Sequence, residues 1–333
     1  MNARNQLSYV GIMTNYICSA ACRHCMYCSS GNIPGEFISE KSCDRIADAL
    51  ASAGVTSLHI GGGEPFLDFD ALCLLVKALT ERGVGIEYIE TNASWCVNDQ
   101  RTRGYLNTLD SLGARCVMVS VDPFHIEFVP LERPLRLIKL LREMGMEYFV
   151  WQERFLRRLM PLDHEHALTH SALKAALGDD YVEKTAREYG LGVNGRAMII
   201  AHELYPSRDP DDLASGAPCD LLSSMHCHID LYENVVPPGC PGIAVDIGDF
   251  LRGDIDGENY PVVSRLIEGG TRALLSYARA KGYDGNGKRY ISKCELCYAL
   301  RAYLKNVSPS KDISPDCYYE SMERAYNEKT VNK

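Results

Sequence analysis

The chain has 333 residues, of which 46% are hydrophobic and 24% charged; these values exclude a disordered, collagen-like or coiled-coil protein and fit one large or two unequal globular domains. The net charge of -9, from 35 basic and 44 acidic residues, argues against nucleic-acid binding, which needs a basic face. The N-terminus has no signal-peptide pattern, and no stretch reaches the roughly 18 apolar residues of a membrane span. We therefore expect a soluble cytoplasmic protein without a membrane partner.

Short β-rich runs alternate with helical patterns up to about residue 205, as in parallel βα units. Strands are predicted over residues 7–13, 57–60, 86–90, 116–121, 147–152 and 196–202. Helices are predicted over residues 39–53, with Ser39 as the cap, and 69–82, after Asp68. The pattern predicts an α/β fold in which six units form a partial (β/α)6 barrel.

A change of composition marks the predicted domain boundary. Residues 206–218 are rich in Pro, Gly and Asp and have no hydrophobic periodicity. Beyond them the βα alternation weakens and grouped cysteines return. We therefore predict a barrel domain over residues 1–205 and a smaller, irregular domain organised around metal over residues 206–333.

The chain has 14 cysteines, an unusual number for a protein without a signal peptide. Disulfide scaffolds are smaller and secreted, so thiolates that bind metal are the better interpretation. Nine of these cysteines fall in three groups: Cys18, Cys22, Cys25 and Cys28; Cys219, Cys227 and Cys240; Cys294 and Cys297.

The first group follows the first predicted strand with the spacing C-x3-C-x2-C. Cys18, Cys22 and Cys25 therefore lie on one short loop and can face one [4Fe-4S] cluster, leaving one iron open to a substrate or cofactor. Cys22, Cys25 and Cys28 begin a ferredoxin-type spacing, but the position of its fourth cysteine holds another residue. Structural zinc, with His24 or Cys28 as the fourth ligand, is a less favoured alternative.

This loop, followed by the sequence GGGEP at residues 61–65 after the second strand, resembles the radical S-adenosylmethionine (SAM) superfamily. The resemblance covers about the first 205 residues. It implies that Cys18, Cys22 and Cys25 ligate a [4Fe-4S] cluster whose fourth iron chelates the amine and carboxylate of SAM. It also implies that the methionine amine is held by Gly62, Gly63 and Glu64.

The resemblance implies further SAM contacts. His24, between the last two cluster cysteines, would stack near adenine, and Arg196, at the opening of the sixth predicted strand, would lie near the SAM carboxylate. Thr91 and Asn92, and Ser120 and Asp122 near the ribose hydroxyls, are the candidates at the ends of later strands. An ordinary turn role is an equal alternative for those at strands three and four. His125, beyond the fourth strand on the SAM side, is the candidate acid or base, with a structural loop histidine as its alternative.

The later cysteines form a second candidate metal site. Cys219 and Cys227 precede a strand-like run that ends before Cys240, and Cys294 and Cys297 follow after a long interval, which is typical of a four-cysteine site. The segment resembles the SPASM and Twitch domains, and the Twitch form fits better. This resemblance implies one auxiliary [4Fe-4S] cluster. Cys219 is favoured over Cys227 as the first ligand, and zinc bound by the same four residues is an alternative.

The resemblance implies an enzyme in which a reduced cluster cleaves SAM to methionine and a 5′-deoxyadenosyl radical that abstracts hydrogen from substrate. The auxiliary cluster would accept or relay the product electron. Peptide maturation of the RiPP type ranks first, and an oxidoreductase or lyase acting on a small molecule or cofactor precursor ranks second.

Partners are implied by the same resemblance. A flavodoxin or ferredoxin would supply electrons. Because Cys18 comes so early, we expect no fused peptide-recognition domain, so a peptide substrate needs a separate leader-binding protein or direct capture by the barrel. A non-enzymatic iron-sulfur or zinc protein, acting in regulation or electron transfer, is the alternative from another class, and it gives no role to Gly62, Gly63 and Glu64.

Overall fold

A computed structural model describes residues 7–33, 35–223, 226–285 and 287–331. In these ranges eight strands form one sheet, in the order β5-β4-β3-β2-β1-β6-β7-β8. The strands are β1 (Val10–Met13), β2 (Ser57–Gly61), β3 (Gly85–Thr91), β4 (Cys116–Ser120), β5 (Glu147–Trp151), β6 (Cys227–Asp230), β7 (Asn234–Val236) and β8 (Val245–Asp246). Strands β1 to β6 pair in parallel, and β6, β7 and β8 pair antiparallel. The sheet is open, so the α/β fold is a partial barrel.

Helices connect and cover the strands. They are α1 (Glu40–Ser52), α2 (Phe69–Glu81), α3 (Asp99–Ser111), α4 (Glu132–Met144), α5 (Glu153–Leu159), α6 (His170–Leu177), α7 (Tyr181–Tyr189), α8 (Ala197–Leu204), α9 (Pro210–Leu213), α10 (Ile247–Arg252), α11 (Pro261–Ala280), α12 (Lys293–Val307) and α13 (Asp316–Val331). The predicted caps are confirmed: Ser39 accepts from the α1 backbone and Asp68 from the α2 backbone. Among the helices described, none is both long and apolar enough to span a bilayer.

The two faces of the parallel strands have different tasks. Leu58 and Ile60 of β2 are fully buried in the same hydrophobic core as Ile46 and Leu50 of α1. The residue between them, His59, points to the other face, because side chains alternate along a strand. The inner face of the curved sheet therefore carries polar groups and lines a central cavity.

The predicted strand over residues 196–202 is wrong, because this segment forms α8 (Ala197–Leu204). Its buried residues Ala197, Met198, Ile200 and Ala201 follow helical spacing, and a short apolar run does not distinguish a helix from a strand by composition alone. The other five predicted strands are confirmed, with shifts at their ends. The sixth parallel strand is β6, which pairs with β1 and not with β5.

The strand-like run after Cys227 is a hairpin. β6 pairs antiparallel with β7, and Glu233 takes a positive φ of 67° in the turn between them. Because β6 lies against β1, the sheet continues from the first predicted domain into the second. The proposed division at residues 206–218, a segment that contains α9, stays a prediction.

Candidate functional site

The predicted cluster cysteines lie together on the loop after β1. Cys18 and Cys22 are buried and Cys25 is half-buried, and all three line a cavity of about 120 Å³. The backbone N–H groups of Ala20 and Ser29 donate to Cys18 Sγ and Cys25 Sγ, each at 3.4 Å. Such bonds stabilise the negative charge that thiolate ligands carry.

The spacing of these sulfurs fits a cluster better than a single ion. Among the described residues, no group of three cysteines brings its sulfurs within 4.8 Å of one another. Four thiolates around one zinc, at about 2.3 Å from it, would be only about 3.8 Å apart. The sulfurs are thus further apart than a single zinc ion requires, and three cysteines on one loop are the ligand type of an iron-sulfur cluster.

Two glycines bring the loop after β2 against the cysteine loop. Gly63 N donates to Asn15 O at 2.9 Å, and a Cβ on Gly63 would lie 1.9 Å from Ile17 O. Gly62 has a φ of 117°, which favours glycine. Both glycines also line the cysteine cavity. They therefore serve the contact between the loops and leave backbone groups near a bound cofactor.

Glu64 is fully buried and its carboxylate is held by the protein. Oε1 accepts from Thr91 Oγ1 at 2.8 Å and Phe66 N at 3.2 Å, and Oε2 accepts from Asn92 N at 2.9 Å. Burial raises the pKa of Glu64 to about 7. Its carboxylate thus fixes the end of β3 to the turn after β2.

The end of β3 in turn holds a cluster cysteine. Asn92 Nδ2 donates to Cys18 Sγ at 3.4 Å and to Ser19 Oγ at 3.2 Å, while Thr91 Oγ1 accepts from Trp95 Nε1 at 2.9 Å. Thr91 and Asn92 also line the cysteine cavity. Asn92 therefore positions Cys18, and both residues border the cysteine cavity.

His24, Asp122 and His125 form a buried polar cluster beside Cys22. Asp122 Oδ2 lies 2.8 Å from His125 Nδ1 and 3.5 Å from His24 Nε2. Burial lowers the pKa of His24 to about 4. Burial also opposes the charge on His125, but Asp122 and Cys22 hold its pKa well above the usual value. The pair Asp122–His125 can therefore hold a proton next to the cysteine cavity.

Arg196 is placed under the cysteine loop, at the start of α8. Its guanidinium donates to Cys22 O at 2.7 Å, Cys28 O at 2.9 Å and Ser29 O at 2.8 Å. These contacts use much of its donor capacity. The observed role of Arg196 is to fix the conformation of the loop that carries the cysteines.

A second cavity, of about 680 Å³, fills the interior of the barrel. It shares several lining residues with the cysteine cavity: His24, Cys25, Gly62, Glu90, Ser120 and His125. Tyr88, Trp151 and Tyr189 line its remaining wall. The cysteine cavity and the barrel cavity are therefore contiguous.

Glu90 is the residue of this site that the sequence analysis missed. It lies on the inner face of β3 and lines both cavities. Burial, with a smaller contribution from Glu64, raises the pKa of Glu90 to about 7. Side chains alternate along a strand, so the predicted strand already placed Tyr88 and Glu90 on one face. That alternation could have identified Glu90 from the sequence.

The later cysteines converge as well. A separate cavity of about 40 Å³ is lined by Cys219, Cys240, Cys294 and Cys297. Cys294 and Cys297 lie at the start of α12. Cys227, the rival first ligand, is buried in β6 and does not line this cavity.

Residues 12–156 match the model of the Radical SAM superfamily. YydG of Bacillus subtilis strain 168, a protein named for peptide biosynthesis, is 25% identical over 120 residues, which are 36% of this chain and 37% of YydG. The mycofactocin maturase MftC of Mycobacterium ulcerans strain Agy99 is 38% identical over 73 residues, which are 22% of this chain and 19% of MftC. The structure of SuiB of Streptococcus suis bound to S-adenosylmethionine aligns over 82% of this chain and 75% of SuiB, with 15% identity and a TM-score of 0.44.

The match to the family model includes the cysteine loop, and residues 12–156 form a domain of the radical SAM type. The matched segments cover about a third of YydG and a fifth of MftC. The residues that match the family model, 12–156, run from within β1 to beyond β5 and include the cysteine loop.

Proposed function

We propose that this chain is a radical SAM enzyme that modifies a peptide, in maturation of the RiPP type. The observation that carries the proposal is the cysteine cavity that opens into a 680 Å³ barrel cavity, a size typical of sites for small ligands or a few side chains. YydG and MftC, both named for peptide biosynthesis or maturation, support a peptide as the substrate class.

In this proposal Cys18, Cys22 and Cys25 bind a [4Fe-4S] cluster, and SAM occupies the space between the cluster and Gly62–Gly63. When bound and reduced, the cluster and SAM supply a carbon radical strong enough to abstract hydrogen from substrate. Among the residues that line this space, His24, Ser120, Thr91 and Asn92 border SAM, and Asp122 acts from behind through His24 and His125. Glu64 and Arg196 act as positioning residues, through the end of β3 and the cysteine loop.

The chain supplies enclosure and a proton. Tyr88, Trp151 and Tyr189 give the barrel cavity an aromatic wall that excludes water and orients one C–H bond of the substrate. His125, paired with Asp122 at 2.8 Å, is the proposed proton donor or acceptor on the cofactor side. Glu90, on the same face of β3 as Tyr88, lines both cavities and is the proposed carboxyl contact to substrate.

We also propose an auxiliary [4Fe-4S] cluster on Cys219, Cys240, Cys294 and Cys297, which would take up the product electron. Their shared cavity supports Cys219 over Cys227. As at the first site, no three of these sulfurs lie within 4.8 Å of one another, which favours a cluster over zinc.

A flavodoxin or ferredoxin is the proposed electron donor, and a separate leader-binding protein is a proposed partner. Free thiols at all 14 cysteines suit a cytoplasmic location, where thiols stay reduced.

The formation of 5′-deoxyadenosine tests the proposed chemistry. Anaerobically reconstituted protein, reduced with dithionite and supplied with SAM, should release 5′-deoxyadenosine. Cys22→Ala should release none, while Cys73→Ala, which changes a cysteine of α2 outside the groups, should behave as the parent. A parent protein with full iron and no 5′-deoxyadenosine would support the non-enzymatic alternative instead.

The substrate class needs a second measurement. Short peptides encoded beside the gene are incubated with the active enzyme, and their masses and 5′-deoxyadenosine yield are followed. We expect a mass or stereochemical change in one peptide, coupled to increased SAM cleavage. Cleavage stimulated only by a small molecule would refute the peptide assignment while leaving the radical chemistry intact.

A further inference from the structure

Three histidines meet on the inner face of the barrel, and the proposed function uses none of them. His59 lies in β2, His228 in β6 and His226 just before β6. One ring nitrogen from each lies within 4.8 Å of the other two. His226 and His228 line the barrel cavity.

The sheet is built so that two of these rings can meet across β1. Gly11 of β1 is the register partner of His59 on one side and of His228 on the other. A Cβ at Gly11 would lie 2.3 Å from His59 Nε2 and 2.5 Å from His228 Cδ2. Any side chain at this position would therefore separate the rings. The glycine opens the gap in which His59 Nε2 and His228 Nε2 come within 3.2 Å.

The distance between the two nitrogens suits shared coordination. Two imidazole nitrogens on one tetrahedral zinc, each about 2.0–2.1 Å from the metal, are about 3.3–3.4 Å apart. A hydrogen bond between the two rings would give a similar distance. Such a hydrogen bond would not explain why the ring of His226 lies beside the other two. His226 has a φ of 56°, a backbone conformation that non-glycine residues seldom adopt.

Aromatic rings fix the orientation of each histidine. Tyr9 contacts His226 with ring centroids 4.8 Å apart, and Tyr88 stacks on His59 at 5.1 Å. Glu90 completes the surroundings on the cavity side, with Oε1 3.7 Å from His59 Nε2. Three imidazoles and a nearby carboxylate are the donors that divalent ions of the zinc type prefer.

We propose that His59, His226 and His228 bind one divalent transition-metal ion of the zinc type at the wall of the substrate cavity. Three imidazoles leave a fourth position, which faces Glu90 and the cavity. A metal there can polarise a carbonyl of a bound substrate as a Lewis acid. Metal binding at this site does not depend on the proposed radical chemistry, because its ligands are separate from the cluster cysteines.

The test is zinc content, measured on the full-length, cluster-reconstituted protein by equilibrium dialysis and mass spectrometry. We expect about one zinc per chain with iron unchanged. His226→Ala and His228→Ala should each weaken zinc binding at least tenfold, and Gly11→Ala should do the same by forcing the rings apart. His166→Ala is the matched control, because this exposed histidine pairs only with Asp163 in its own loop, and it should keep the zinc.

Two results would overturn the proposal: no zinc in the parent protein at full iron content, or zinc retained by both His226→Ala and His228→Ala. His226 is exposed, so its variant should fold even if His228→Ala does not, and it then decides alone. Zinc binding without 5′-deoxyadenosine would refute only the proposed function, and the reverse would refute only this site.

Discussion

Glu64 is a buried carboxyl and Glu90 a half-buried one, and their neighbours give them different roles. Glu64 accepts three hydrogen bonds from the protein, and Glu90 lines both cavities. In Glu64→Gln an amide NH2 replaces one accepting oxygen, so a buried donor loses its partner. We expect the variant to be less stable by about 1–3 kcal/mol and to bind SAM more weakly, because the end of β3 shifts.

The matched variant Glu90→Gln should not lower the thermal midpoint, because it removes a carboxyl whose pKa is raised to about 7, and it should lose product formation. Thermal unfolding, SAM binding and product yield of the two variants are compared under anaerobic conditions. Equal midpoints for Glu64→Gln and the parent would show that the hydrogen bonds of Glu64 do not hold β3.

The two rival thiols of the second site differ in what surrounds them. Cys219 lines the cavity with the other three cysteines, whereas Cys227 is packed in a strand. Cys219→Ala should lose the auxiliary cluster, about four irons, and most product. Cys227→Ala should keep all iron, since a smaller apolar side chain in its place costs only about 1 kcal/mol. Iron analysis with electron paramagnetic resonance of the reduced variants checks this, and the reverse pattern would make Cys227 the ligand.

At the scale of elements, one hydrogen bond ties the cysteine loop to β6. Tyr16 of the loop donates to Asp230 Oδ2 at 3.0 Å, while Oδ1 accepts from the backbone of Tyr232 and Asn234. Burial raises the pKa of Asp230 from 3.8 to about 6. The folded protein therefore holds a proton on the Asp230 carboxyl more tightly than the unfolded chain does. The penalty for ionising Asp230 is absent at acidic pH and grows as pH rises through about 6.

Asp230→Asn removes that penalty and keeps an oxygen for the two backbone donors, while the Tyr16 hydroxyl loses its carboxylate acceptor, a cost that does not depend on pH. The stability of the variant relative to the parent should therefore rise by about 1–1.5 kcal/mol from pH 5 to pH 7. Unfolding of both proteins at several pH values in this interval measures the difference. A difference that stays constant with pH would mean that Asp230 ionises in the folded state as it does in the unfolded chain.

The elements also show what a sequence can predict. The caps Ser39 and Asp68 act within one helical turn, so their local pattern sufficed. The segment 196–202 has apolar residues compatible with either a helix or a strand, and its burial pattern was decided by tertiary contacts. The partner of β1 was likewise hidden, because pairing between β1 and β6 joins residues more than two hundred positions apart.

The same distinction holds for the sites. Cys18, Cys22 and Cys25 lie within eight positions on one loop, so their spacing alone predicted a cluster site. The roles of Glu90, His59 and the other histidines depend on strand register, which places distant residues side by side. Register is set by packing across the sheet and leaves no local spacing in the sequence.

At the scale of the whole molecule, the two cysteine sites are independent. The first lies on the loop after β1, and the second uses the loops after α9 and β7 and the start of α12. We expect about eight irons per reconstituted chain and about four after Cys18, Cys22 and Cys25 are changed together to Ala. Loss of all iron in this variant, or about four irons plus one cysteine-bound zinc in the parent, would contradict the two-cluster assignment.

The pairing of β6 with β1 has a consequence for how the chain can be divided. β1 precedes the cysteine loop, and its edge is paired with a strand more than two hundred residues further along the chain. A fragment without that strand would expose unpaired backbone groups along Val10–Met13, an edge that invites aggregation. A truncation meant to isolate the first cysteine site must therefore keep β6 to remain well behaved in solution.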